Sequence, residues 1–395
     1  MIYLDNAAST QVHAKVIDEM LPYFKEQFGN PSSIHKYGRL AAMAVHNARK
    51  RIATLINAEP REILLTSGGT ESNNTTLYGI AYKNKGKHII TSSIEHDAIL
   101  EPCRHLEENG FQVTYLPVDR YGLVNPDDVK NAISSDTFLI SIMLANNEVG
   151  TIQPIKEICK IAHGKNVLMH TDAVQAIGKI PVDVKDLDVD LLSISSHKIN
   201  GPKGIGALYI RNGIKLDPLI LGGGQENGLR SGTENVPNIV GFGKACQLAK
   251  ENMEQNEIYF KKLATRLISK ILQGISHVTF NGHPEKRIPN NTHFTFLGVN
   301  GEDLIIKLDE NGVAASTGSA CSVRIQKESH VLKSMGFSHE QISGSLRLTI
   351  GISNTKKEID DTVEILKRQL SNYARYLLIR KNTTFRTQNL SRTNI

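Results

Sequence analysis

A lysine, Lys198, stands at the end of a short apolar run and ahead of a cluster of glycines. The run Asp190-Leu191-Leu192-Ser193-Ile194 leads into Ser195-Ser196-His197-Lys198-Ile199-Asn200-Gly201-Pro202-Lys203-Gly204-Ile205-Gly206. A strand that ends in hydroxyls, a histidine and a lysine, then breaks on glycines, brings an amine to a sheet edge beside a loop that can receive phosphate. An enzyme needs those groups to hold pyridoxal phosphate as a Schiff base. A second segment, Ser316-Thr317-Gly318-Ser319-Ala320-Cys321-Ser322, puts a cysteine in a loop of small residues. An amine for the cofactor and a thiol on such a loop together point to sulfur chemistry on an amino acid.

Further polar groups follow other apolar runs. Thr66-Ser67-Gly68-Gly69-Thr70-Glu71 joins a strand to a helix. There backbone N–H groups and the helix dipole favour an anion and Thr70 adds a hydroxyl, although glycine also makes ordinary turns. No lysine follows the second glycine, so this is not a P-loop. His96, in Ser92-Ser93-Ile94-Glu95-His96, can stack on a cofactor ring or move a proton; the plainer alternative is a hydrogen-bonded histidine. Val167-Leu168-Met169-His170-Thr171-Asp172 ends in a carboxylate. That group can keep a pyridine nitrogen protonated, or simply cap a helix. Gln175 follows within one turn, in reach of a ring oxygen, and Asn146-Asn147-Glu148-Val149-Gly150 ends another strand in amides.

The elements that must position these groups alternate along the chain. Strands are expected over 62–66, 88–92, 112–117, 138–144, 167–171, 191–195 and 207–211, with helices over 71–83, 98–109, 126–133 and 154–163. Continuous Val/Ile/Leu-rich strands between helices define an α/β fold with a mostly parallel sheet buried on both faces. The chemistry-bearing residues all fall at carboxyl ends of strands, the edge where open α/β sheets bind ligands. After Val236 the pattern changes. A long helical region spans about 239–273, followed by strands near 278–281, 292–296 and 345–351 and helices over 302–310 and 356–378. This reads as a smaller α+β domain. The expected division is a large cofactor-binding domain over 14–256, a small domain formed by 1–13 and 257–380, and a basic tail over 381–395.

Composition narrows the class. The 395 residues carry a formal net charge of +6. After Glu364 there is no acid, while Lys367, Arg368, Arg375, Arg380, Lys381, Arg386 and Arg392 follow; without those seven the chain has 39 basic against 40 acidic residues. The basic tail offers a surface for nucleic acid or an acidic partner, with a solvated terminus as the alternative. No run approaches a membrane span, and the opening Met1–Ala8 lacks the basic region of a signal peptide, so a cytoplasmic, non-membrane protein is expected. Cys103, Cys159, Cys246 and Cys321 lie far apart. That spacing gives neither a zinc motif nor a disulfide framework, and the first three sit in helical segments as packing residues.

The ordered motifs resemble those of the NifS/IscS-type cysteine desulfurases, in the class V aminotransferase group of fold-type I pyridoxal phosphate enzymes. The resemblance runs from Ile2-Tyr3-Leu4-Asp5-Asn6-Ala7-Ala8 to Arg347–Gly351. It includes Phe28-Gly29-Asn30-Pro31-Ser32-Ser33, Gly222-Gly223-Gly224-Gln225-Glu226 and Arg230-Ser231-Gly232-Thr233, besides the segments already quoted. It implies a fold-type I transferase with a seven-stranded sheet in its large domain. Lys198 is then the covalent anchor of the cofactor, Asp172 the partner of its pyridinium nitrogen, Gln175 of its ring oxygen, and His96 stacks on the ring. Gly69, Thr70, Ser195, Ser196 and His197 surround the phosphate, joined by Thr233 from the second subunit of a homodimer. Asn147 belongs to the same site and, with Arg347, binds the substrate carboxylate. Cys321 takes sulfur from L-cysteine as a persulfide, leaving L-alanine, and passes it to an acceptor protein. No resident metal is implied, although Cys321 can transiently ligate an iron–sulfur cluster.

Such enzymes serve iron–sulfur cluster assembly, tRNA thiolation, cofactor synthesis and DNA phosphorothioation, and sequence does not choose among these. Three departures stand out. Gly69 occupies a position where alanine is frequent, a change expected to be mild. Arg324 and Lys327 follow the cysteine in a stretch more neutral in relatives, and the tail beyond about Leu378 matches no family pattern. Within the fold the competing reading is a selenocysteine lyase or another class V lyase or aminotransferase. Outside it stands a non-enzymatic scaffold or nucleic-acid binder using the tail, against which the intact cofactor positions argue.

Overall fold

The computed structural model describes residues 1–318 and 328–371. Cys321, Arg324, Lys327, the basic tail and the end of the last expected helix lie outside the described residues.

The main sheet has seven strands, in the order Ile63–Thr66, Gly206–Ile210, Leu191–Ser195, Leu168–Asp172, Thr137–Ser141, His88–Ser92 and Gln112–Leu116. All run in one direction except Gly206–Ile210, which is antiparallel to both neighbours. Successive residues of each strand enter opposite cores. Ile63, Leu65, Ile90, Ile140, Leu192 and Ala207 face one layer, while Leu64, Ile89, Leu139, Leu191 and Leu208 face the other. Burial on both faces explains why these strands read as unbroken apolar runs. Each expected strand is present within a few residues of its expected bounds.

The helix Lys36–Leu55 is the largest element that sequence reasoning did not place. Its buried face is Gly38, Ala41, Ala44, Val45, Ala48, Ile52 and Leu55, spaced as a helical stripe but built largely from alanine. The small side chains allow close approach to Val236–Glu251; a Cβ on Gly243 would lie 2.7 Å from Ala48 Cα. The expected helix over 239–273 is two helices, Val236–Glu251 and Met253–Gly274. The break is Asn252, which leaves helical dihedrals and donates its Nδ2 to the Leu248 carbonyl at 2.8 Å.

A second core lies around the antiparallel sheet Ser345–Thr349, Asn291–Phe296 and Val278–Phe280. Phe260, Leu263, Leu267 and Ile271 of Met253–Gly274 pack on Phe294, Phe296, Leu346 and Leu348, joined by Ile359, Val363 and Leu366 from the helical stretch 356–371. The N-terminus ties the two cores together. Ile2–Tyr3 pairs in parallel with Val313–Ala314, a short ladder not expected from sequence, and Thr349 N donates to Leu4 O at 2.7 Å. The chain then crosses to the main sheet, where Thr10 N donates to His197 O (2.9 Å) and His13 N to Asn200 O (3.0 Å).

Candidate active site

The cavity at the carboxyl edge of the main sheet has a volume of about 240 Å³. Its wall contains nine residues singled out from sequence: Gly69, Thr70, His96, Asn147, Asp172, Gln175, Ser195, His197 and Lys198. They come from the ends of five different segments, so the sheet gathers what the chain scatters.

One end of the cavity suits an anion. The helix Gly69–Ala81 begins there, and its first N–H groups carry the positive end of the helix dipole. The turn is fixed from behind: Thr66 Oγ1 lies 2.8 Å from Ser72 Oγ, and Ser67 N donates to Glu71 Oε2 at 2.8 Å. Arg230 pairs with Glu71 through Nε at 2.9 Å. Burial works against ionisation of Glu71, but Arg230 and the Ser67 bonds outweigh it and hold the carboxyl below its ordinary range. His197 stands beside the turn with Nδ1 3.2 Å from Ser9 Oγ. Burial first, then the charges of Lys198, Lys203 and Lys179, push its pKa down to about 4. It therefore meets an anion at neutral pH as a neutral hydrogen-bond donor.

The other groups lie across the cavity. Asp172 ends its strand buried, accepting from Asn73 Nδ2 at 2.7 Å and from Val174 N at 2.9 Å. Gln175 donates Nε2 to Ala7 O at 2.9 Å, and its Oε1 is buried without a partner. Lys198 Nζ donates to Ala7 O (2.5 Å) and Ala8 O (2.8 Å). The crossing N-terminal segment thus sets the position of the lysine. His96 caps the helix Asp97–Glu108, its Nδ1 accepting from Ala98 N at 3.0 Å. Its ring proton is therefore on Nε2 when the ring is neutral. The structural and functional readings of this histidine are compatible.

Three sequence-selected residues stand elsewhere. Ser196 lies beneath the wall, its Oγ buried without a partner. Thr233 is exposed on the surface, outside the cavity. Arg347 belongs to the second sheet. Its Nη2 meets Asp5 Oδ1 at 2.8 Å, and its Nη1 donates to the carbonyls of Asn147 (2.9 Å) and Gly318 (3.2 Å). Among the described residues its buried Nε has no partner, nor has Asn147 Oδ1. The second core thus places a guanidinium against the backbone of a wall residue and at the start of the segment that leads to Cys321, which itself lies outside the described residues.

Two of the glycines after Lys198, Gly201 and Gly206, are packing glycines. A Cβ on Gly201 would lie 2.0 Å from Ser196 Oγ, and one on Gly206 2.6 Å from Ile194 O and 2.7 Å from Gly68 Cα. Gly206 brings its strand against the anion-binding turn, Gly201 closes on Ser196, and neither lines the cavity. A Cβ on Gly69 would lie 2.8 Å from Val174 Cγ2, so an alanine there requires Val174 to move. Sequence reasoning missed Asn73, Val174, Met143, Ala145, Ala8 and Ala98, which complete the wall. Asn73 carried a signal, an amide one turn beyond Gly69 on the same helix face.

These groups fit pyridoxal phosphate. A helix N-terminus with hydroxyls and a neutral histidine suits a phosphate, and a buried carboxylate opposite suits a pyridinium nitrogen. An unpartnered amide oxygen, a lysine amine and small apolar walls complete a slot for a flat ring.

A family model described as aminotransferase class-V matches residues 2–362. A protein named cysteine desulfurase IscS from Methanosarcina thermophila is 54% identical over 367 residues, covering 92% of this chain and 91% of its own length. One of the same name from Dictyoglomus turgidum is 52% identical over 369 residues, covering 93% of this chain and 94% of its own length. Among solved structures, a NifS-like protein superposes with a TM-score of 0.88 at 39% identity, covering 94% of this chain and 99% of its own. The chain therefore belongs to the aminotransferase class-V family, in its cysteine desulfurase group of pyridoxal phosphate enzymes. A structure described as SspA in complex with cysteine is also similar, with a TM-score of 0.79 at 39% identity, covering 89% of this chain and 99% of its own.

Proposed function

We propose that this protein converts L-cysteine to L-alanine and moves the sulfur onto Cys321. The observation that carries the reading is the single cavity that joins Lys198, Asp172, His96 and an anion-binding helix end. Gly69, Thr70, Ser195 and His197 would hold the cofactor's phosphate, Asp172 its ring nitrogen and Gln175 its ring oxygen, with Lys198 as covalent anchor and His96 against the ring. Bound there, pyridoxal phosphate supplies an electron sink for the substrate Cα–H bond.

The chain's own residues do the rest. Arg347, with Asn147 beside it, orients the substrate carboxylate, for which Asp5 is the competitor within the chain. Lys198 Nζ takes the Cα proton and later returns a proton to the three-carbon product. His96, with Nδ1 engaged by Ala98 N, exchanges the thiol proton through Nε2. The Cys321 thiolate attacks the substrate sulfur; its S–S bond forms as the substrate C–S bond breaks, and the product carbon gains a proton to become alanine. Burial, chiefly, pushes the thiols of Cys103 and Cys159 up to about 12 and that of Cys246 well above its ordinary value. None of these three is a competing nucleophile, and a plain aminotransferase has no use for a thiol at position 321.

The working unit is a homodimer. Thr233 is exposed on a segment anchored by the Arg230–Glu71 pair, as a residue completing a neighbour's phosphate site must be. Phe28 is 70% and Ile34 91% exposed in the single chain, and Phe24 and Met43 are exposed as well. An apolar surface of that kind marks an interface. The three buried cysteines are unpaired, which fits the reducing cytoplasm. The persulfide is offered to acceptor proteins of iron–sulfur cluster assembly or thiolation.

Purified protein loaded with pyridoxal phosphate should form alanine from L-cysteine one for one with sulfur released to a thiol reductant. Lys198→Ala should lose both the turnover and the visible absorbance of bound cofactor. Turnover without Lys198, or a protein that binds no cofactor, contradicts the proposal.

A further inference from the structure

A buried amine stands near the partly buried Lys198. Lys179 is 4% exposed, in the turn that follows Asp172, and its Nζ donates to the Gln175 carbonyl at 2.9 Å. Gln175 in turn donates to Ala7 O, and that carbonyl also accepts from Lys198 Nζ. The two amines thus stand at opposite ends of one short run of contacts. Both also line a further cavity of about 240 Å³ on the far side of Lys198 from the cofactor site. Amides of Asn6, Asn200 and Asn290 stand in its wall, and its ionisable groups are His13, Lys179 and Lys198. His197 is the other titratable group whose charge state Lys179 affects. Among the described residues, no carboxylate stands in that wall.

A buried ammonium with no carboxylate beside it is costly, and a like charge nearby raises the cost. Burial first, then Lys198, push Lys179 down to about 7. Coupling between two titrating groups is mutual, so whatever Lys198 does to Lys179 is returned.

We propose that Lys179 is a positioning residue that uses its charge behind Lys198 to disfavour the proton on the Lys198 nitrogen, while its hydrogen bond fixes the Gln175 segment. This rests on the reading of Lys198 as cofactor anchor and proton carrier. The catalytic amine is then kept ready to accept a proton by a neighbour that never touches the substrate.

The test is a pH titration of the visible absorbance of the Lys198-bound cofactor in the holoenzyme, with no substrate present. Lys179→Gln keeps an N–H donor for the Gln175 carbonyl but removes the charge. Its midpoint should rise by about one unit, because the protonated nitrogen is no longer opposed. Lys179→Arg, permanently charged, should titrate at or below the wild-type midpoint. Lys179→Met should follow Lys179→Gln, and if it does not fold the Gln and Arg pair decides. A Lys179→Gln midpoint equal to wild type would mean a purely structural clamp and overturns the inference. A wild-type protein with no visible band on loading would instead refute the underlying role of Lys198, so the two failures are distinguishable.

Discussion

Glu95, next to His96 in the chain, is fully buried and accepts from Ser92 Oγ at 2.5 Å and Met143 N at 3.0 Å. Desolvation dominates over these bonds and raises its pKa from 4.5 to about 8. The folded protein therefore keeps a proton that the unfolded chain has lost in that interval. The resulting stability is fully present below 4.5 and is lost as pH rises through 8. Glu95→Gln is neutral throughout and still accepts from Met143 N. Its melting temperature should match wild type in mild acid and exceed it by a few degrees near the upper end of the window. Parallel melting temperatures at both ends would show that Glu95 is ionised in the fold. Much of the site was legible residue by residue, because Lys198, Asp172, His96 and Asn147 each follow an apolar run. Lys179 and the Asp5–Arg347 pair were not, since their roles depend on contacts between distant parts of the chain; Asp5 and Arg347 are 342 positions apart.

At the scale of elements, the turn before helix Gly69–Ala81 owes its shape to missing side chains. Strand Gly206–Ile210 lies against the Gly68 backbone, and nothing flexible separates them. Gly206→Ala should therefore destabilise the protein by about 1–3 kcal/mol and weaken pyridoxal phosphate binding, because the turn must shift to make room. Denaturant unfolding and cofactor titration together check this; unchanged cofactor affinity would mean that the Thr66–Ser72, Ser67–Glu71 and Arg230–Glu71 contacts hold the turn without Gly206. The sheet was readable because both of its faces are apolar. The helix Lys36–Leu55 was not, because alanine gives its buried stripe little contrast with the polar residues between. The glycines after Lys198 pointed towards phosphate in the sequence, whereas in the fold Gly206 serves the approach of two backbones and Gly201 the approach of Ser196. Glycine patterns report close approach without naming what approaches.

At the scale of the molecule, the site belongs to two cores at once. The main sheet supplies the cavity wall, the second sheet supplies Arg347, and the N-terminal segment crosses between them to hold Lys198 through the Ala7 and Ala8 carbonyls. The proposed dimer belongs to the same scale. Phe28→Asp combined with Met43→Asp should convert a dimer to monomers in analytical ultracentrifugation and loosen the cofactor, since Thr233 would no longer reach a neighbour. A monomeric wild-type protein with full cofactor affinity would refute the shared site.

The most direct measurement is mass spectrometry of the peptide that contains Cys321 after the holoenzyme has met one equivalent of L-cysteine without reductant. One added sulfur on Cys321, matched by one alanine, is the predicted result, and it should vanish in Lys198→Ala. Alanine formed while Cys321 stays unmodified, or sulfur found instead on Cys103, Cys159 or Cys246, would contradict the account.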